Sequence, residues 1–433
     1  MMNVLEQVHQ MVWGPWTLVI FLGVGIFFTL KCHFFQIRGF LFWWSRTAGR
    51  LISGEASRKE DGTGKGKGIS QFQSVCTALA ATVGTGNIAG VATALTAGGP
   101  GALFWMWVSA LIGMITAYAE TMLGIRYRYR DKDGHYICGP FIYMERGLGL
   151  RGMGVLYSFL CLMSSLGMGS MVQANSAIST MEYTWHVPTL AGGLIFTGLL
   201  VLVTWGGIRR IGNVAEKLVP AASGIYIAFS MIVILSCLEQ IPGALASMVC
   251  SAFRPEAAAG GTAGYVISRS VRYGISRGVF SNEAGLGTLA VLHGPTEGTT
   301  PHEQGMWAMF EVFVDTIVIC TLTALVILCV ERECALMAGG EEVWRIAAGL
   351  DGAALTSFCF TKILGSFGGF LVSASMAAFA FATIVGWYYI GRQMFSYLAE
   401  YLCPGANTEY LYTILYLLAV WLGCICRLEL VWL

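Results

Sequence analysis

Ala80-Ala81-Thr82-Val83-Gly84-Thr85-Gly86-Asn87-Ile88-Ala89-Gly90 interrupts an apolar run with glycines and polar side chains. Gly274-Ile275-Ser276-Arg277-Gly278-Val279-Phe280-Ser281-Asn282-Glu283-Ala284-Gly285-Leu286-Gly287 does the same much further along the chain. In a membrane, unwound backbone survives only where it is buried in protein or lines a polar cavity. Two broken helices at corresponding places are the sequence mark of a transporter's binding site, because unwinding frees N–H and C=O groups to hold a solute and its coupling ion.

The composition agrees with a membrane setting. Hydrophobic residues make up 56% of the 433-residue chain and charged residues only 12%, with mean hydropathy +0.66, against about 25% charged in soluble domains. A net charge of +1 excludes a general basic footprint for nucleic acid. Of the 13 cysteines only Cys424-x-Cys426 forms a close pair, and the others sit in apolar stretches as small hydrophobes, without a disulfide framework. The six histidines, including His293 and His302, fall in flanks or loops without ligand spacing, so neither a metal site nor a cofactor is expected.

Spans of roughly 20 residues fall near 11–30, 70–97, 101–124, 153–180, 188–206, 213–238, 262–290, 306–330, 364–392 and 408–430. The first has no small-residue cleavage site after it and reads as a retained helix rather than a signal peptide. Lys and Arg concentrate in 31–68, 125–151 and around the start of the sixth span, all on one face. If that face is cytoplasmic, the N-terminus lies outside. Gly54 to Gly68 mixes both charge signs with glycine and reads as a solvated linker. The expected organisation is an extra N-terminal helix and linker (1–69), a first unit of five helices (70–240), and a second, inverted unit with four (241–433).

Alternatives weigh on each candidate. Gly86-x-x-x-Gly90 also fits close helix packing. A nucleotide loop does not fit, since Gly84-Thr85-Gly86 follows no strand and lacks the third glycine. Ionisable residues inside spans are functional hypotheses by default. Asp315, mid-span, is expected to hold a cation or a substrate ammonium. Glu283 is expected to pair with Arg277 or to touch the substrate, and Glu311 to be interfacial. Gln173 and Asn175 offer amides that would bond a solute or a neighbouring helix. Thr383 has a simple reading as a back-bonded hydroxyl.

Thr77 to Ala92, then Gly98-Gly99-Pro100-Gly101-Ala102-Leu103-Phe104-Trp105-Met106-Trp107, then Ala117-Tyr118-Ala119-Glu120, together with Arg277 to Gly287, resemble the alanine or glycine:cation symporter family. The resemblance runs from about residue 10 to the end of the chain. It implies an all-α polytopic membrane protein of leucine-transporter-like fold, one extra helix before two inverted five-helix repeats, and sodium-coupled uptake of a small amino acid across a bacterial inner membrane. The backbone of Thr85 and Gly86 would then receive the substrate carboxylate, with Asn87 serving substrate or ion, and Gln173, Asn175, Gly278, Phe280, Ser281 and Asp315 lining the same pocket. Sodium would lie between Ala80, Val83, Ala380 and Thr383, while Glu120 and Glu283 would brace the broken helices. The pattern calls for another span after Val431-Trp432, and in this respect the chain departs from it.

Rival classes are weaker. A channel needs a repeated filter or pore ring, and none is seen. An intramembrane enzyme needs a nucleophile–base or metal constellation, also not seen. A proton-coupled amino-acid transporter remains the alternative within the leading class.

Overall fold

The structure is a computed structural model and describes residues 14–54, 68–132, 134–253, 263–337, 349–402 and 409–426. Most of the expected linker and the stretch around Val431-Trp432 lie outside the described residues. The principal helices are α1 Pro15–Lys31, α2 Gln71–Thr82, α3 Ala89–Gly98, α4 Gly101–Tyr127, α5 Arg151–Trp185, α6 Thr189–Thr204, α7 Gly207–Ser236, α8 Ala263–Asn282, α9 Thr288–His293, α10 Pro301–Leu336, α11 Gly352–Leu364, α12 Ser366–Leu402 and α13 Glu409–Ile425. Among the described residues α4, α5, α7, α10 and α12 are long and apolar enough to cross a bilayer in one piece. Helix α8 packs along α4 and α3, α2 and α5 along α12, so the two interrupted segments come together inside the bundle.

Local chemistry explains where elements start. Ser70 Oγ accepts from Gln73 N at 3.2 Å while Ser70 N donates to Gln73 Oε1 at 3.3 Å, a reciprocal cap on α2. Thr300 and Glu303 form the same device on α10, with Pro301 in the first turn. The outer faces are apolar: on α6, Leu190, Leu194, Ile195, Leu199 and Leu202 are all exposed. Such faces are stable only against lipid or another apolar surface.

Several boundaries differ from the sequence reading. The second span is two helices, α2 and α3, joined by a 3₁₀ turn over Thr85–Asn87. The second interruption begins at Glu283, not at 278, because α8 runs unbroken to Asn282. Gly278 therefore sits in regular helix; a Cβ there would lie 3.4 Å from Ser109 Oγ, so it serves close packing on α4. The expected span at 364–392 is preceded by α11, an apolar helix of 13 residues that is too short to be counted as a span. After α1 the chain folds into short helices Phe35–Arg38, Phe40–Arg46 and Ala48–Ile52, which carry fully buried Trp43 into the core beside Phe313.

Periodicity alone hid one further feature. α5 and α10 each contain a π-helical stretch, Gly167–Val172 and Phe313–Cys320. Such insertions re-aim side chains and cluster at functional sites.

Helix contact is tight where glycine permits it. A Cβ on Gly274 would stand 2.3 Å from the carbonyl oxygen of Ala102, a backbone atom that cannot swing aside. Gly274→Ala is therefore expected to destabilise by about 1–3 kcal/mol, seen as a lowered unfolding midpoint of the purified protein in detergent; an unchanged midpoint would show that α8 does not approach α4 this closely.

Candidate functional site

The first break is built by three residues that refuse a regular helix. Val83 leaves the helical region with ψ 88°, Gly84 is extended, and Ile88 closes the turn before α3. The amides freed this way do not point into empty space. Asn87 Oδ1 accepts from Gly84 N at 2.9 Å, and Gln173 Oε1 on α5 accepts from Thr85 N at 3.2 Å and Thr85 Oγ at 2.9 Å. The Thr85 N–H read from sequence as bare is thus covered by Gln173. Asn175, two residues on, turns away: its Nδ2 donates to the carbonyls of Gly423 and Cys426 at the end of α13.

The second break is held in a strained conformation. Glu283 has φ +55°, the left-handed region in which a non-glycine residue is disfavoured. Its carboxylate fixes it there, with Trp387 Nε1 donating to Oε1 at 2.7 Å and Thr288 Oγ to Oε2 at 2.6 Å. Those two oxygens are engaged by neutral donors rather than by the Arg277 pair considered from sequence. Asn282 Oδ1 accepts from Ala284 N at 3.1 Å, and Glu120 Oε2 on α4 accepts from Gly287 N at 3.1 Å. Gly287 itself has φ +81°, and a Cβ would collide with Pro140.

The first break lies against the end of the helix that leads into the second: a Cβ on Gly86 would be 3.3 Å from the Phe280 ring and 3.4 Å from Ser281 Cα. Asp315, in the π stretch of α10, ties them together. Asn87 Nδ2 donates to its Oδ1 at 2.7 Å, while Ser281 Oγ and Thr316 Oγ donate to Oδ2, each at 2.8 Å. One carboxylate thus joins α10 to the first interruption and to the last turn of α8, which leads into the second, entirely without solvent exposure. A buried anion is tolerable when several donors converge on it.

On the other side of the first break, Thr383 Oγ on α12 lies 3.0 Å from the carbonyl oxygen of Ala80 and 3.0 Å from that of Phe379. The hydroxyl bonds back to its own helix as the simple reading held, and it also bridges to α2. Gly84 lies against it, since a Cβ there would be 2.6 Å from Thr383 Oγ. Val83 and Ala380 are buried on the same two segments. Hard oxygen donors of this kind suit a cation such as sodium.

Where α2 starts and α9 finishes, the bundle is clasped. Ile69 N donates to Pro295 O at 3.1 Å and Glu297 N to Ile69 O at 3.1 Å. Arg128 NH1 reaches the carbonyls of Gly294 and Thr296, and Arg130 pairs with Glu297 at 3.3 Å. Two sequence expectations fail nearby. Glu311 is not interfacial but fully buried, bonded to His293 Nε2 at 3.0 Å, and His293 belongs to no exposed flank. The packing of consecutive helices α9 and α10 made this pair, and no local spacing announces it. Trp387, Asn282 and Thr316 escaped the sequence reading for the same reason.

A family profile described as the sodium:alanine symporter family matches residues 1–433. The sodium/alanine symporter AgcS of Methanococcus maripaludis is 37% identical, over 99% of this chain and 90% of that protein. A Bacillus subtilis relative named for sodium/glutamine symport, GlnT, is 34% identical, over 100% of this chain and 85% of its own. Among solved structures, the manganese transporter of Eremococcus coleocola superposes with a TM-score of 0.50 at 12% identity, covering 81% of this chain and 70% of that one, a likeness of fold alone.

Trp387→Phe removes the donor to Glu283 Oε1 without changing the aromatic packing much, and is expected to cost about 1–3 kcal/mol. Adding Glu283→Leu should recover part of that loss in a double-mutant cycle of unfolding midpoints; purely additive effects would mean that the pair does not hold the second break.

Proposed function

Because this chain belongs to the sodium:alanine symporter family and is therefore a multi-pass membrane transporter rather than an enzyme, we propose that it couples sodium entry to uptake of a small neutral amino acid. The observation that carries the proposal is the meeting of two interrupted helices on one buried carboxylate, Asp315, with Thr383 and Ala80 offering oxygens behind the first interruption. A zwitterion needs donors for its carboxylate and an acceptor for its ammonium within one pocket. Backbone N–H groups at Thr85 and Gly86 supply the first, once Gln173 yields Thr85, and Asp315 supplies the second. Ser281 and Phe280 form the wall that Gly86 faces, with Asn87 bridging substrate and Asp315.

Sodium takes the oxygens of Ala80, Val83, Ala380 and Thr383. A cation there replaces the hydrogen bond that now links α12 to α2, so ion binding and the relative position of these helices are linked. That linkage is what a symporter requires: a ligand moves an equilibrium only through its differential affinity for the two states. Glu120 and Glu283 act as braces, holding the second break in shape while the bundle rocks. Two inverted repeats, each opened by one break, would make the motion symmetric. The clasp of Arg128, Ile69 and Glu297 then closes the cytoplasmic end, with the N-terminus outside a bacterial inner membrane.

Substrate size follows from crowding at the glycines. The relatives carry names for alanine and for glutamine. The space at Gly86, limited by the Phe280 ring, favours alanine or glycine.

Counterflow in proteoliposomes tests this. Saturable, sodium-dependent exchange of labelled alanine is expected, with glutamine competing weakly. Asp315→Asn should raise the alanine concentration for half-saturation by about 10- to 100-fold, the equivalent of a charged hydrogen bond. Thr383→Ala should instead raise the sodium requirement. Counterflow independent of sodium, or both variants behaving as wild type, would overturn the assignment.

A further inference from the structure

The buried pair outside the central site has a chemistry of its own. His293, the last residue of α9, and Glu311, on α10, are both fully buried, with Nε2 and Oε2 3.0 Å apart. Gln304 Nε2 approaches His293 Nδ1, and Ser74 Oγ in the first turn of α2 is 3.3 Å from the same nitrogen. The Gln304 amide is oriented by Thr299, whose hydroxyl donates to Oε1 at 3.0 Å. An amide N–H directed at Nδ1 makes that nitrogen the acceptor and leaves the imidazole proton on Nε2, facing Glu311. Glu311 Oε1 is buried and has no hydrogen-bond partner among the described residues.

The neighbouring elements contribute few groups that could balance a charge there. Glu120 on α4 accepts from Gly287 N through Oε2 while its Oε1 has no hydrogen-bond partner among the described residues, Arg128 at the end of α4 is engaged with the carbonyls of Gly294 and Thr296, and Tyr389 on α12 with Gln393. Glu303, at the start of α10, pairs with Arg50. Cys76 on α2, a buried thiol, lies within electrostatic reach of Glu311, as does Glu216 of Cys76 from α7.

We propose that Glu311 Oε1 is a proton-binding site whose occupancy controls separation of α2, α9 and α10 at the clasped end of the bundle. The inference rests on the transport reading above and adds a second monovalent ligand to it. With the proton bound, Glu311 is neutral, keeps its contact with His293, and the three helix ends stay packed. When the proton leaves to cytoplasmic water, an anion with one unsatisfied oxygen remains in a low-dielectric site. Such a charge is costly until water reaches it, so the deprotonated state favours opening. Proton uptake closes the end again. No group of three or more His, Cys, Asp or Glu that could hold a metal ion stands among the described residues.

Cys76 reports the opening. The full chain is treated with N-ethylmaleimide, and modification of Cys76 is read by peptide mass spectrometry from about pH 5.5 to 8.5. Glu311→Gln keeps the volume and holds the site neutral, and since a Glu311 anion can only make the nearby thiol less reactive, a rise in the ratio of wild-type to Glu311→Gln labelling reads exposure of Cys76. That ratio should be near one at the acid end and rise by about tenfold across the range, as a one-proton site allows. A ratio constant with pH overturns the proposal, and one that follows sodium instead of pH assigns a metal ion and overturns it as well. In the wild type alone, labelling of Cys76 relative to the exposed Cys250 should rise in the same way, and a flat profile overturns the proposal without recourse to any variant. Absence of alanine counterflow in the wild type would remove the transport reading; intact counterflow with flat labelling removes only this inference.

Discussion

Every backbone amide released inside this bundle has to find an acceptor in the protein, because hydrocarbon offers none. The rest of the structure depends on that constraint. At the first interruption Asn87 and Gln173 supply the acceptors, and at the second Asn282 and Glu120 do so. Each acceptor comes from the break itself or from a helix packed against it. The breaks are therefore not loose segments but junctions fixed by side chains from α4, α5 and α10. A solute that offers a better acceptor than the Gln173 amide competes for the same N–H, and a carboxylate is such an acceptor.

The same economy governs the buried acids. Asp315 and Glu283 are satisfied by amide, hydroxyl and indole donors rather than by lysine or arginine. Neutral donors hold an anion in place without cancelling its charge, so Asp315 keeps the field that would draw an ammonium. Glu311 differs from these two, since its one partner is an imidazole and its second oxygen is unmatched, as is one oxygen of Glu120. This difference separates a carboxylate that holds a ligand or a shape from one that answers to proton concentration.

Close contact makes both arrangements possible. Gly84 lies against Thr383 and Gly86 against Phe280, so a methyl group at Gly84 would collide with Thr383 Oγ and one at Gly86 would crowd the Phe280 ring. The π stretches do the complementary work. In Phe313–Cys320 the wide turn carries Asp315, and in Gly167–Val172 it ends at the residue before Gln173. In this way the side chains that meet the first break come from helices that depart locally from 3.6 residues per turn. Regular helices at these two places would aim Asp315 and Gln173 differently.

Much of the fold was legible in local chemistry. Apolar runs of membrane-crossing length mark the spans, and glycines flanked by Thr and Asn mark the first break at its true position, since a helix has little intrinsic reason to persist through Val83-Gly84-Thr85-Gly86. The second break was less well placed, because Gly278 reads like a breaker until α4 is seen packed on it. Asn175 and Gln173, two residues apart and chemically alike, could not be told apart without knowing which helix each one faces. The residues alone thus determined that this is a helical membrane transporter with two interruptions, since hydrophobicity and helix propensity are local properties. Only the tertiary structure decided that Asp315 joins the first interruption to the end of α8, that Trp387 holds Glu283, and that His293 meets Glu311, because these contacts are set by how helices pack rather than by any spacing along the chain.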